Sequence, residues 1–223
     1  MIVAIDGPAG SGKTTVAKLV ARRLGFFYLD TGAIYRALTL KLLRSNLPLD
    51  DIEGVCQVLN TMDINIEDDK LFLDGEDVSE AVRDPEVDRK VSLVARIPEV
   101  RERLLPLQRD LVKGRDAVVE GRDMGTIVFP EAEVKVFLTA SIEERAYRRW
   151  KELVQKGKDI SFEAVLQDLK RRDDIDSKRE IAPLKVAPDA IVIDTTSKSI
   201  EDVVEEVVNL VLQYYKSAGI LYT

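Results

Sequence analysis

Short apolar runs alternate with longer stretches in which apolar residues recur every three or four positions, and this alternation spans most of the chain. Met1-Ile2-Val3-Ala4-Ile5 is apolar and β-branched, as expected of a strand buried on both faces. From Thr14 to Leu24 the apolar residues Val16, Leu19, Val20 and Leu24 share a helical face that closes at Gly25. Similar runs predict strands at 2–5, 26–29, 117–120, 134–138 and 190–193. Helical spacing predicts helices at 13–24, 32–44, 85–96, 99–113, 142–156, 161–174 and 200–215. Strands alternating with helices imply a parallel α/β sheet, and right-handed crossovers place the first strand centrally.

Residues 50–90 break the rhythm. Ile64-Asn65-Ile66 and Leu71-Phe72-Leu73 bracket the polar turn Glu67-Asp68-Asp69-Lys70, which reads as a β-hairpin. Asp74-Gly75-Glu76-Asp77 then turns the chain towards a third short strand at 77–79. The expected architecture is a five-stranded parallel sheet flanked by helices, in one domain over 1–223, carrying a small antiparallel β insertion.

The turn after the first strand carries the first chemistry. Gly7-Pro8-Ala9-Gly10-Ser11-Gly12-Lys13-Thr14 fits the phosphate-binding pattern G-x-x-x-x-G-K-[ST], between a strand and a helix, the context in which that pattern has meaning. Its glycines let backbone N–H groups approach an anion, and the following helix adds the positive end of its dipole. Lys13 can reach the β- and γ-phosphates of ATP, and the Thr14 hydroxyl can ligate Mg²⁺; Thr15 completes the ATP-binding set.

Composition narrows the reaction class. A net charge of −7 argues against a general nucleic-acid binder. No apolar run is long enough to span a bilayer, and the single Cys56 excludes an intramolecular disulfide, so a cytoplasmic, membrane-free protein is expected. The chain has no histidine, which removes His-ligated metal sites and His-based triads. Phosphoryl transfer suits what is left, because it relies on positioning and charge neutralisation more than on a strong base.

Three further clusters follow. Asp30-Thr31-Gly32-Ala33-Ile34-Tyr35-Arg36 places Thr31 at a helix start and Arg36 one turn on, where they could grip a second phosphate; Thr31 could equally be a plain cap and Arg36 a solvated charge. Glu120-Gly121-Arg122-Asp123-Met124-Gly125-Thr126 emerges at the carboxyl end of a strand, the edge where open α/β sheets bind ligands. An exposed loop would explain its glycines but not the adjacent Arg–Asp pair. Arginines also gather between 145 and 179, in Glu144-Arg145-Ala146-Tyr147-Arg148-Arg149 and in Arg171-Arg172-Asp173-Asp174-Ile175-Asp176-Ser177-Lys178-Arg179. They read either as a salt-bridged helix pair or as a helical lid closing on phosphates, and spacing does not separate Arg145, Arg148 and Arg149.

Together with Ile181-Ala182-Pro183-Leu184, these motifs, in this order and spacing, resemble the bacterial cytidylate kinases, P-loop nucleoside monophosphate kinases that act on CMP and dCMP. The insertion is similar to the three-stranded piece that distinguishes them from the shorter UMP/CMP enzymes. The resemblance implies a P-loop NTPase fold with a nucleoside monophosphate-binding segment over 31–100 and a lid over 145–180. It implies that Thr31 and Arg36 hold the CMP phosphate, and that Ser92 and Arg101 contact the nucleotide. It further implies that Arg122 and Asp123 meet phosphate and cytosine, and that Arg172, Asp176 and Arg179 surround sugar and base. Lys13, Arg122, Arg145, Arg149 and Arg172 are the catalytic candidates, and a monomer is expected. Family members carry Ser or Thr at position 31, and either supplies the hydroxyl.

The chemistry is consistent with cytosine. Its N4 amine donates while N3 and O2 accept, so an Asp facing N4 and an Arg or Ser facing N3 and O2 are complementary; uracil reverses the pattern. Rival readings are a P-loop kinase for UMP, AMP or shikimate, or a nucleotide-switch NTPase, although the N-K-x-D motif of switch GTPases is absent.

Overall fold

The computed structural model describes residues 1–67 and 70–219. The main sheet has the strand order β2-β6-β1-β7-β8, with β1 (Ile2–Asp6) in the centre. Its neighbours β6 (Ala117–Gly121) and β7 (Val134–Thr139) run parallel to it, and β8 (Ile191–Asp194) runs parallel to β7. The remaining edge is β2 (Phe27–Asp30). Val3, Ala4 and Ile5 are fully buried, which accounts for a strand with no polar alternation.

Helices α1 (Lys13–Leu24) and α8 (Ile200–Ala218) cover this sheet. Val16, Ala17 and Val20 meet Val203, Val204, Val207, Val208 and Val211, the stripe that the helical spacing foretells, in one core with Val3, Ile5, Val136 and Leu138. Each fully buried valine contributes roughly 1.5 kcal/mol or more. Gly25 closes α1, and a reciprocal capping box between Ser199 and Asp202 opens α8. Helices α6 (Ile142–Gln155) and α7 (Phe162–Lys178) pack against each other through Ala146, Val165 and Leu169.

The chain divides into two compact units. The first joins Met1–Leu29 and Val112–Lys178 with the residues from Ala182 on; the second is Asp30–Leu111 with Arg179–Ile181. The second unit holds α2 (Thr31–Arg44), α3 (Ile52–Thr61), α4 (Pro85–Val94) and α5 (Pro98–Leu111). It also holds the antiparallel sheet β3 (Ile64–Glu67), β4 (Lys70–Leu73) and β5 (Glu76–Asp77). Asp68 and Asp69 of the expected turn lie outside the described residues. The third strand is Glu76–Asp77, where 77–79 was expected: at Ser79 the side-chain hydroxyl rather than the main chain takes the Leu71 amide, and the Ser79 amide ends on Asp77.

Among the described residues three elements were not expected, the first being the 3₁₀ turn Ala81–Arg83. The second is helix α3, although Ile52, Val55, Cys56 and Leu59 carry the helical spacing. The third, Met124–Val128, forms a single π-helical turn directly after β6.

Candidate active site

The phosphate loop leaves β1 at Asp6 and enters α1 at Lys13. Gly7 (φ 148°) packs so closely on β7 that an added Cβ would lie 2.0 Å from the Leu138 carbonyl oxygen. No side chain fits there. Within the loop, the Lys13 ammonium donates to the Pro8 carbonyl at 2.7 Å, and the Ser11 amide approaches the same oxygen at 3.4 Å. Lys13 is only 5% exposed. Burial, and then the nearby Arg122, push its pKa well below the ordinary lysine value, against the opposing pull of Glu120, Asp6 and Asp176. Thr14 is half-buried and Thr15 is exposed.

Those electrostatic neighbours link the loop to the carboxyl end of β6 and to α7. Glu120 is buried and accepts the Tyr28 hydroxyl at 2.6 Å. Arg122 donates through Nε to Asp176 on α7 at 3.0 Å and through Nη1 to the Gly121 carbonyl at 3.3 Å. Asp123 and Arg172 are both buried. Asp6 receives the Met124 and Gly125 amides, each at 2.8 Å. Burial raises its pKa to about 6, helped by the like charge of Asp123, while the two amides and Lys13 oppose the rise.

The three arginines of α6 have distinct roles. Arg145 is buried, with its guanidinium on the Ala140 and Ala9 carbonyls, both at 3.1 Å, and on Asp173 at 2.7 Å. It therefore braces the phosphate loop from behind. Arg148 holds Thr195 through its hydroxyl (2.9 Å) and carbonyl (2.6 Å), and Arg149 meets Glu152 at 2.8 Å.

In the second unit, the Asp30 side chain caps α2 by accepting the Ala33 amide at 2.9 Å, while Thr31 is buried as the first residue of that helix. Burial pushes Asp30 up, but Arg83, at 2.6 Å, and Arg36 outweigh it and hold the carboxyl below its usual range. Arg36 lies over Gly32 and donates to Asp88 at 3.0 Å. Ser92 on α4 and Arg101 on α5 are buried, and the Arg101 guanidinium stands 5.7 Å from the centre of the Tyr35 ring. Arg179 is also buried.

Sequence reasoning gave no role to Asp6, Glu120 or Arg83. A lone carboxylate closing an otherwise apolar strand was the available signal for Asp6, and Glu120 carried the same signal. Nothing local marks Arg83. A surface hollow of about 560 Å³, lined by Met1, Ile2 and residues 112–116, lies at the amino ends of β1 and β6, away from this cluster.

A parallel sheet whose central strand ends in a glycine loop, a buried lysine and a helix start defines a P-loop phosphate-binding protein of the kinase type. The cytidylate kinase family model matches residues 3–213, and the chain belongs to that family. It is 53% identical over 205 residues to a cytidylate kinase of Caldanaerobacter subterraneus subsp. tengcongensis, covering 92% of each chain. It is 50% identical to that of Caldicellulosiruptor bescii over 96% of this chain and 97% of the other. The corresponding figures for Carboxydothermus hydrogenoformans are 49%, 95% and 97%.

Proposed function

We propose that this chain transfers the γ-phosphoryl group of ATP to CMP or dCMP, giving ADP and CDP or dCDP. Family membership gives the reaction class. The observation that supports the residue-level reading most is the electrostatic grouping of Lys13 with Arg122, Asp176 and Glu120 in one unit. The donor-side cation and the acceptor-side residues act on the same field.

The loop amides of residues 7–12 receive the donor phosphates, and Lys13 follows the transferring group. A CMP phosphate oxygen attacks the γ-phosphorus in line, the bond to the β-phosphate oxygen breaks, and ADP leaves with the electron pair. The attacking oxygen is already anionic, so no general base is required. Arg122, Arg149 and Arg172 neutralise developing charge, while Arg145 keeps the loop in shape. Thr31 and Arg36 hold the acceptor phosphate, with Arg172, Asp176 and Arg179 around the sugar and base. Asp123 accepts from cytosine N4, and Ser92 and Arg101 donate to N3 and O2.

The donor set fits Mg²⁺, a hard ion bound mainly by substrate phosphates and water, which needs few protein ligands. Thr14 at the start of α1 would hold it together with water, and it would supply charge neutralisation at the phosphates. The protein works as a cytoplasmic monomer; among the described residues no helix is long and apolar enough to cross a membrane.

A coupled ADP-release assay across CMP, dCMP, UMP, AMP and shikimate, with Mg²⁺ and with chelator, tests this reading. Fast, Mg²⁺-dependent release with CMP and dCMP alone is expected. Slow release that ignores the acceptor would make the chain a nucleotide switch, and preference for another acceptor would overturn the cytosine assignment.

A further inference from the structure

We infer that Asp6 is a positioning residue for the acceptor nucleotide: its carboxylate fixes the turn that presents Arg122 and Asp123. The inference rests on the proposed roles of those two residues. The Met124–Val128 turn begins directly after them, and its first amides, Met124 and Gly125, both end on Asp6, one on each oxygen at 2.8 Å. The usual local solution is absent, since the side chain of Asp123 makes no cap hydrogen bond to the turn that it begins. At the other side, the Asp123 carbonyl accepts the Ile127 and Val128 amides at 2.9 and 3.1 Å. The main chain of Asp123 is therefore gripped from within its own turn and from β1.

Gly125 shows how closely the turn is seated. An added Cβ would lie 3.2 Å from Cδ of Lys135 and 3.5 Å from the Asp6 carboxylate. Lys135 cannot swing aside freely, because its ammonium bonds the Pro130 carbonyl at 2.5 Å and Asp189 at 2.7 Å. Only a carboxylate offers two separate charge-assisted acceptor oxygens here, one for each amide.

Asp6 also lies in register with Gly121 of β6 and immediately precedes Gly7, so one residue sets the acceptor turn against the phosphate loop. The loop has anchors of its own: Gly7 on Leu138, Lys13 on Pro8 and Arg145 on Ala9. Glu120 and Asp176 still face Lys13 when the Asp6 charge is gone, so loss of the carboxylate should reach CMP before it reaches ATP.

The test is Asp6→Asn, which turns one acceptor into a donor facing an amide, with KM measured for both nucleotides and kcat/KM for CMP and UMP. We expect kcat/KM for CMP to fall about tenfold to a hundredfold, with KM for CMP rising and KM for ATP unchanged to within about twofold. A parallel change in both KM values, or none, overturns the inference and leaves Asp6 a fold residue. Asp123→Asn, measured alongside, separates the two readings. If it leaves the CMP-to-UMP ratio unchanged, Asp123 leaves base recognition, while the KM split still decides for or against Asp6 acting through Arg122. If it shifts the ratio and Asp6→Asn splits no KM, the inference alone fails. Should Asp6→Asn not fold, Gly125→Ala displaces the same turn with the carboxylate intact, and the same KM split is expected; its absence overturns the inference.

Discussion

Two loops at the carboxyl edge of the sheet differ in what holds them. The phosphate loop carries part of its own support, with glycines that tolerate close backbone approach and a lysine that folds onto its own Pro8 carbonyl, and Arg145 braces it at Ala9. The turn after β6 closes on its own Asp123 carbonyl but leaves its first amides without a local acceptor. Its first amides are satisfied by Asp6, 118 and 119 residues away in the chain. A loop that binds a chemically constant phosphate can be encoded in eight consecutive residues. A turn that holds one carboxylate in a fixed position relies on a rigid neighbour, and here the central strand of the sheet supplies it.

The comparison can be broken first at its cation. Lys13→Ala should lower turnover by roughly 10² to 10³ while leaving the fold intact, because it removes a preorganised charge aimed at the transferring group. Steady-state kinetics with circular dichroism checks this, and near-wild-type turnover would remove the loop from catalysis.

The next effect concerns the carboxylate under the acceptor turn. A rise in the Asp6 pKa from 3.8 to about 6 on folding corresponds to about 3 kcal/mol. The folded state binds that proton more tightly than the unfolded one, so this group's contribution is fully present below pH 4 and is lost as pH rises through about 6. Asp6→Asn lacks the titration. Its stability relative to the wild type should therefore rise between pH 4.5 and pH 7 in denaturant titrations, and a constant difference would show that Asp6 does not titrate in this window.

The smallest effect sharpens the contrast from the donor side. Arg145→Met removes the brace on Ala9 and should raise KM for ATP about five- to tenfold, or about 1 kcal/mol, the net worth of an ordinary hydrogen bond. The CMP-to-UMP ratio should not move. A shift in that ratio would mean that the two loops are not independently supported.

The same contrast explains what the chain disclosed in advance. The central strands β1, β6 and β7 were legible because both faces are buried, and α1 and α8 because their valine and leucine stripes are dense. Helix α3 was missed although Ile52, Val55, Cys56 and Leu59 hold the helical period, because residues 50–90 read as one β insertion. The π-helical turn was missed since its stabilising acceptor is remote in sequence. Lys13 and the Arg122–Asp123 pair announced themselves through local motifs. The inward-facing Arg145 did not, because Arg145, Arg148 and Arg149 share one short helical stretch and only packing distinguishes the one that turns to Ala9.

The central claim is that the turn after β6 selects cytosine through Asp123, and the most direct measurement is kcat/KM for CMP and UMP in the wild type and in Asp123→Asn. The amide keeps the shape and can present a donor where only an acceptor stood. CMP should lose about 1.5–3 kcal/mol, roughly ten- to a hundred-and-fifty-fold, while UMP loses less or gains. Equal losses for both acceptors, leaving the ratio unchanged, would contradict the claim and reduce Asp123 to a structural charge.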